Sequence, residues 1–123
     1  MTTAIIVGLT LLVVAILALA TSMRVLREYE RGVAVCGSGQ GICMAVNRVP
    51  GARGGVIRDL KDAEMTRRHN NANVACFGEA FTTEGDAVAA LQVFLSTGFD
   101  GGRHEVRVEQ LTMLEESRGQ ADV

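Results

Sequence analysis

The stretch Val33 to Asn47, read as VAVCGSGQGICMAVN, decides the fold. Three apolar residues, Val33 to Val35, end in Cys36. A loop of Gly37, Ser38, Gly39, Gln40 and Gly41 follows, and Ile42 opens an apolar run compatible with a helix. That is the order of a buried strand, a tight glycine loop and a helix start. The first amides of a helix have no internal partner and point outward with partial positive charge. Glycines let a bound group come close to them. A thiol at the strand end, facing those amides, has a lowered pKa and can act as base or nucleophile. A developing oxyanion can be held by the same amides, those of Gly37, Gly39 and Gly41, together with Ser38. A glycine loop can also simply turn, and a free cysteine can simply fill a core. Placing the cysteine at the mouth of the loop favours a reaction centre.

Beyond Asn47, Pro50-Gly51 breaks the first helix, and Arg53 to Ile57 reads as a second short strand. Gly54-Gly55 in its middle lowers strand stability. Asp59 can cap a helix from about Leu60 to His69. Asn73 to Phe77 reads as a third buried strand. Thr83, with Asp86 three residues on, has the form of a capping box for a helix from Glu84 to Ser96, with Val88, Leu91, Phe94 and Leu95 on its apolar face. After a loop at Gly98–Gly102, a last helix is expected from Arg103 to Glu116. Strands alternating with helices predict an α/β fold with a three-stranded parallel sheet. Cys43 and Cys76 fall at core positions.

The 123 residues carry a net charge of -2 and no Trp. The acidic balance offers no basic surface for nucleic acid, and the scarce aromatics offer no platform for stacking bases. Three cysteines, an odd number without CxxC spacing, argue against both a disulfide framework and a zinc site. They suit a reducing compartment.

Ala4 to Ala20 is an uncharged run. Extended to Met23, it reaches about the 20 residues of a bilayer span. Arg24, Arg27 and Arg31 follow it and no Lys or Arg precedes it, which predicts a single-pass anchor with the carboxy-terminal part in the cytoplasm. A cleaved signal peptide is the alternative, since Ala18-Leu19-Ala20 has the A-x-A form. The absent basic n-region and the long run favour the anchor.

Two resemblances follow from particular phrases. The apolar run leading into Arg27-Glu28-Tyr29-Glu30-Arg31-Gly32-Val33 resembles the amino-terminal membrane segment of stomatin-type SPFH proteins, over residues 5 to 33. From Gly32 onward the chain resembles the carboxy-terminal part of the ribose-5-phosphate isomerase B and galactose-6-phosphate isomerase family. The phrases that carry this are Gly32–Asn47, Arg48-Val49-Pro50-Gly51-Ala52-Arg53, Arg67-Arg68-His69-Asn70-Asn71-Ala72-Asn73-Val74, Phe94–Thr97 and Phe99-Asp100-Gly101-Gly102-Arg103-His104. Together they imply residues 1–31 as membrane and juxtamembrane segment. Residues 32–123 would be a partial Rossmann-like domain, lacking the two strands and the Asp-His pair with which the family begins.

The second resemblance implies isomerisation of an aldose phosphate to a ketose phosphate through an enediolate, with no metal or organic cofactor. The substrate implied is a phosphorylated pentose or related sugar phosphate. Cys36 would move the proton, Ser38 and the loop amides would hold the enediolate oxygen, and His69 would open the sugar ring, with Asn70 beside it. Arg103 and Arg107 lie four apart on one helix, so both guanidinium groups project from one face, as suits a phosphate. His104 is expected to point elsewhere. With the first strands absent, Val33–Val35 is expected to be a sheet edge that pairs with other chains, giving a homo-oligomer with low turnover by the chain alone. The alternative function is a single-span membrane interaction protein, or an inactive fusion.

The anchor is tested by carbonate washing and protease protection. The protein should stay with the membrane pellet, its carboxy-terminal part shielded from external protease; release into the soluble fraction, or a mature chain starting at Thr21, refutes the anchor.

Overall fold

A computed structural model describes residues 30–121. Strands β1 (Gly32–Cys36), β2 (Gly54–Val56) and β3 (Val74–Gly78) alternate with helices α1 (Gln40–Val46), α2 (Leu60–Asn70), α3 (Glu84–Ser96) and α4 (Arg103–Ala121). The sheet is parallel throughout, in the order β1-β3-β2. The expected anchor, the stomatin-like phrase up to Tyr29 and the signal-peptide alternative lie outside the described residues. Among the described residues no helix is long and apolar enough to cross a membrane.

The expected caps form. Asp59 accepts from the Asp62 amide at 2.7 Å to start α2. Thr83 accepts from the Asp86 amide at 3.2 Å, and its hydroxyl donates to the Asp86 carboxylate at 2.7 Å to start α3. Each satisfies a helix amide that has no carbonyl to pair with. Helix α2 ends at Asn71, whose φ of 48° is the left-handed conformation that asparagine tolerates. Helix α4 runs five residues past the expected Glu116, to Ala121. No proline follows Glu116 to stop it, and a single Gly119 does not break a helix.

Side chains on β3 alternate between two layers. Ala75 and Phe77 join Ile57, Ala63, Ala72, Ala90 and Phe94 in the core under α2 and α3. Cys76 faces the other way, toward Cys43 of α1, and both cysteines are buried as expected. The apolar face of α3 differs from expectation: Ala90 and Phe94 are buried with Ala87, Leu91 and Val93 against them, while Val88 and Leu95 are exposed. Apolar residues ring this helix, so two stripes share the helical period. Alanines at 87 and 90 allow the closer approach, and that stripe turns inward.

Gly54 and Gly55 have a packing reason. A Cβ on Gly54 would lie 2.9 Å from Val46 and 3.2 Å from the Cys76 sulfur, and one on Gly55 would run into Thr66. Both helices flanking β2 therefore press directly on its backbone. Asn47, which caps α1, holds β2 from its end, accepting from the Gly54 amide at 2.9 Å and donating to its carbonyl at 3.2 Å. Among the described residues β1 pairs with β3 alone, and Val33 and Val35 are 51% and 58% exposed.

Substituting Gly55→Ala should destabilise the domain by about 1–3 kcal/mol, the usual cost of overpacking. Urea unfolding of the single variant and of Gly55→Ala with Thr66→Ala measures this. The second change should recover part of the loss, because it removes the hydroxyl and methyl that crowd the new Cβ.

Candidate active site

The candidate residues fall into two groups at opposite ends of the sheet. Cys36 ends β1, in register with Gly78, the last residue of β3. His69 and Asn70 end α2, just before β3 begins at Val74. Five residues of β3 separate the two levels, about 13 Å of strand.

At the first end, the loop after Cys36 sits on the carboxyl end of β3. Gly39 is buried with φ of 77°, and a Cβ there would lie 2.9 Å from the Gly78 nitrogen. A Cβ on Gly78 would in turn lie 2.5 Å from the Ser38 carbonyl. Only two glycines permit this backbone-on-backbone contact, and the left-handed turn at Gly39 favours one in its own right. The ladder carries into the loop: the Glu79 amide donates to the Cys36 carbonyl at 2.9 Å and the Ala80 amide to Gly37 at 3.0 Å.

So seated, the loop folds back over the half-buried thiol, and the Gly39 amide donates to Cys36 Sγ at 3.2 Å. The thiol pKa is lowered. The Ile42 amide is the largest cause, partial burial opposes it, and the amides of Gly39 and Ser38 and the Ser38 hydroxyl add to it. The amides around the sulfur are thus those of Ser38, Gly39 and Ile42. Gly37 and Gly41 are exposed, and a Cβ on either would meet nothing within 4 Å. Ser38 accepts from the Gln40 amide at 3.2 Å. A thiolate ringed by N–H donors can exchange a proton and hold an anionic oxygen beside it. Buried Cys76, by contrast, is pushed up to about 12 by burial and by Cys43.

At the second end, His69, Asn70, His104, Arg107, Val108 and Leu111 line a cleft of about 190 Å³ between α2 and α4. The expectation for His104 is corrected: its ring stacks on His69, with centroids 4.1 Å apart and planes 10° from parallel. Its signal in the sequence was the i, i+3 spacing to Arg107, which puts both on one side of α4. Arg107 lines the cleft, whereas Arg103, the exposed first residue of α4, does not. His104 is held below the ordinary histidine value, first by partial burial, then by the charges of His69, Arg103 and Arg107 against that of Asp100.

Arg67 is a second residue whose part in this end only the structure reveals. It is 2% exposed. Its guanidinium donates to the Thr97 carbonyl at 3.1 Å, to Asn71 Oδ1 at 3.0 Å and to the Ala72 carbonyl, and it lies over the Phe94 ring at 5.7 Å. Two of these acceptors are at helix ends, where carbonyls lack partners and carry partial negative charge. Next to it, Arg68 Nε donates to both oxygens of the Asp100 carboxylate, at 3.1 and 3.2 Å, and the Asp100 amide donates to the Arg68 carbonyl at 3.0 Å. The loop into α4 is thereby pinned to the end of α2.

The family model described as Ribose/Galactose Isomerase matches residues 14–111. That match begins inside the apolar run and takes in the phrase Arg27–Val33. The chain is 35% identical over 88 residues to a probable ribose-5-phosphate isomerase B of Mycoplasma genitalium, covering 72% of this chain and 58% of that protein. It is 35% identical over 91 residues to ribose-5-phosphate isomerase B of Escherichia coli, covering 74% and 61%. A solved type B ribose 5-phosphate isomerase from Trypanosoma cruzi superposes with a TM-score of 0.74 at 39% identity, over 79% of this chain and 64% of that one. The Mycoplasma genitalium enzyme solved with bound ribulose-5-phosphate gives 0.68 at 36% identity, over 70% and 57%. The chain therefore spans 58% and 61% of the length of the two curated relatives named.

Alkylation with iodoacetamide should mark Cys36 and spare buried Cys43 and Cys76 in the folded protein. Because the thiolate reacts and its pKa is lowered, the rate should reach half its maximum below the free-thiol value of about 8.5. A midpoint at or above that value, read by mass spectrometry across a pH series, contradicts the amide cradle.

Proposed function

This chain belongs to the ribose/galactose isomerase family, and we propose that it interconverts an aldose phosphate and a ketose phosphate, with a phosphorylated pentose as substrate. The observation that carries the reading is the Cys36 thiol held among the amides of Ser38, Gly39 and Ile42. Isomerisation moves one proton from carbon 2 of the opened aldose to carbon 1, and one from the carbon 2 hydroxyl to the carbon 1 oxygen. Nothing is oxidised or reduced from outside. Cys36 as thiolate takes the carbon-bound proton and returns it to the neighbouring carbon. The charge that develops on oxygen in the enediolate faces N–H donors already in place, so no reorganisation is needed as it forms. His69 donates to the ring oxygen and opens the sugar, Asn70 binds a hydroxyl, and Arg107, which lines the cleft, takes the phosphate.

These two groups cannot meet within one chain, since the length of β3 separates them. The site is therefore shared: the thiol end of one copy faces the histidine end of another. Exposed apolar residues supply the surface for this, with Val33 and Val35 on β1 and Val106, Leu111, Met113 and Leu114 on α4. A two-chain assembly then holds two sites, each built from both copies.

Turnover of ribose 5-phosphate to ribulose 5-phosphate tests the reading. Cys36→Ala should lower kcat by about 10²–10⁴, the usual range for a general base. Chains carrying Cys36→Ala and chains carrying His69→Ala, mixed, dissociated and reassociated, should regain about a quarter of the unmodified turnover: half the pairs are mixed and each holds one intact site. No recovery on mixing, or full turnover by a monomer, rules out the shared site.

A further inference from the structure

We propose that His104 is a positioning residue for His69, its ring lying flat on the His69 imidazole and fixing the plane in which that imidazole meets a ligand in the cleft. The assignment deepens the isomerase reading, in which His69 opens the sugar ring, and its main test does not depend on that reading. His69 is the last residue but one of α2. A histidine there, half-exposed at a helix end, has a broad χ2 preference of its own. The stacked contact removes that freedom, because with centroids 4.1 Å apart and planes 10° from parallel neither ring can turn without striking the other.

The platform is itself held. His104 is the second residue of α4, and its amide donates to the Gly101 carbonyl at 3.1 Å. The turn before it is tied to α2 by the Asp100 amide on the Arg68 carbonyl and by Arg68 Nε on the Asp100 carboxylate. The backbone of one histidine's helix thus anchors the loop that delivers the other. Arg68 also pairs with Glu64 of α2 at 3.0 Å.

The surrounding charges act on His104 as well. The groups facing it are Arg103 and Arg107 from α4 and Asp100 from the preceding loop, with Asp100 engaged by Arg68 of α2. Two imidazolium rings in face contact repel at short range, and the arginines add to that. Partial burial first, and then these positive charges, hold His104 below the ordinary histidine value. A ring-opening acid benefits from a fixed direction for its N–H.

The experiment uses the full chain with isotope-labelled imidazoles and reads ring order and titration by NMR. The His69 ring should be rigid in the unmodified protein, loosen in His104→Ala, and recover in His104→Phe, which restores a flat partner without a charge. The His104 midpoint should rise in His69→Phe, which keeps the flat partner and removes its charge. A His69 ring that is mobile in the unmodified protein, or as ordered in His104→Ala as before, overturns the assignment. Should His104→Ala fail to fold, His104→Leu, which keeps bulk but offers no flat ring, decides in its place: the His69 ring should loosen there and stay ordered in His104→Phe. With ribose 5-phosphate, His104→Ala should lower kcat about tenfold and change KM less than about twofold, the mark of lost orientation rather than lost binding. An unmodified chain without turnover counts against the isomerase reading alone, because the NMR result stands by itself.

Discussion

The contact on which the thiol end depends is backbone on backbone: the loop at Gly39 lies against the end of β3 at Gly78 with no room for a Cβ on either side. That closeness turns the amides of Ser38, Gly39 and Ile42 back onto Cys36. A side chain at either glycine would lift the loop by more than the slack in a 3.2 Å hydrogen bond from nitrogen to sulfur. The thiol's acidity, the donors for an anionic oxygen and the open space beside Gly37 and Gly41 all follow from that one seat. It is also why β3 ends where it does, since the strand meets the loop and its ladder continues through Glu79 and Ala80 into the residues around Cys36.

At the opposite end a buried cation plays the corresponding part. Arg67 is surrounded by carbonyl oxygens and one aromatic face, an environment that satisfies its donors. Burial lowers its pKa, and the neighbouring charges of Arg31 and Arg53 lower it further, yet a guanidinium starts so high that it keeps its proton. By binding the carbonyl at the end of α3 and those just past α2, it closes two helix ends with one side chain. The Arg68–Asp100 pair then fixes the approach to α4, and the histidines meet as a result.

Two functional ends on one short parallel sheet have a direct consequence. In a βαβ unit the helix returns to the level where the next strand starts, so a residue at a helix end and one at a strand end lie a strand's length apart. In the proposed isomerisation, which needs both, they come from different copies. The apolar residues left exposed on β1 and α4 fit that requirement.

Much of this was written in the sequence in local terms. The order of strands and helices follows from apolar runs and from breakers at Gly37–Gly41, Pro50-Gly51 and Gly98–Gly102. The caps at Asp59 and Thr83 follow from side chains that reach an amide three residues on, and Cys36 stands out by its place before a glycine loop. These are signals of short range, and a linear reading recovers them. What only the tertiary structure decided depends on pairs distant in the chain. The stripe of α3 that turns inward was set by how closely β3 and α2 approach it. Gly54 and Gly55 look like weaknesses in a strand until Val46, Cys76 and Thr66 are seen against them. His104 meets His69 across thirty-five residues of sequence, because the angle at which α4 crosses α2 is fixed by the Asp100 turn and by no periodicity within either helix.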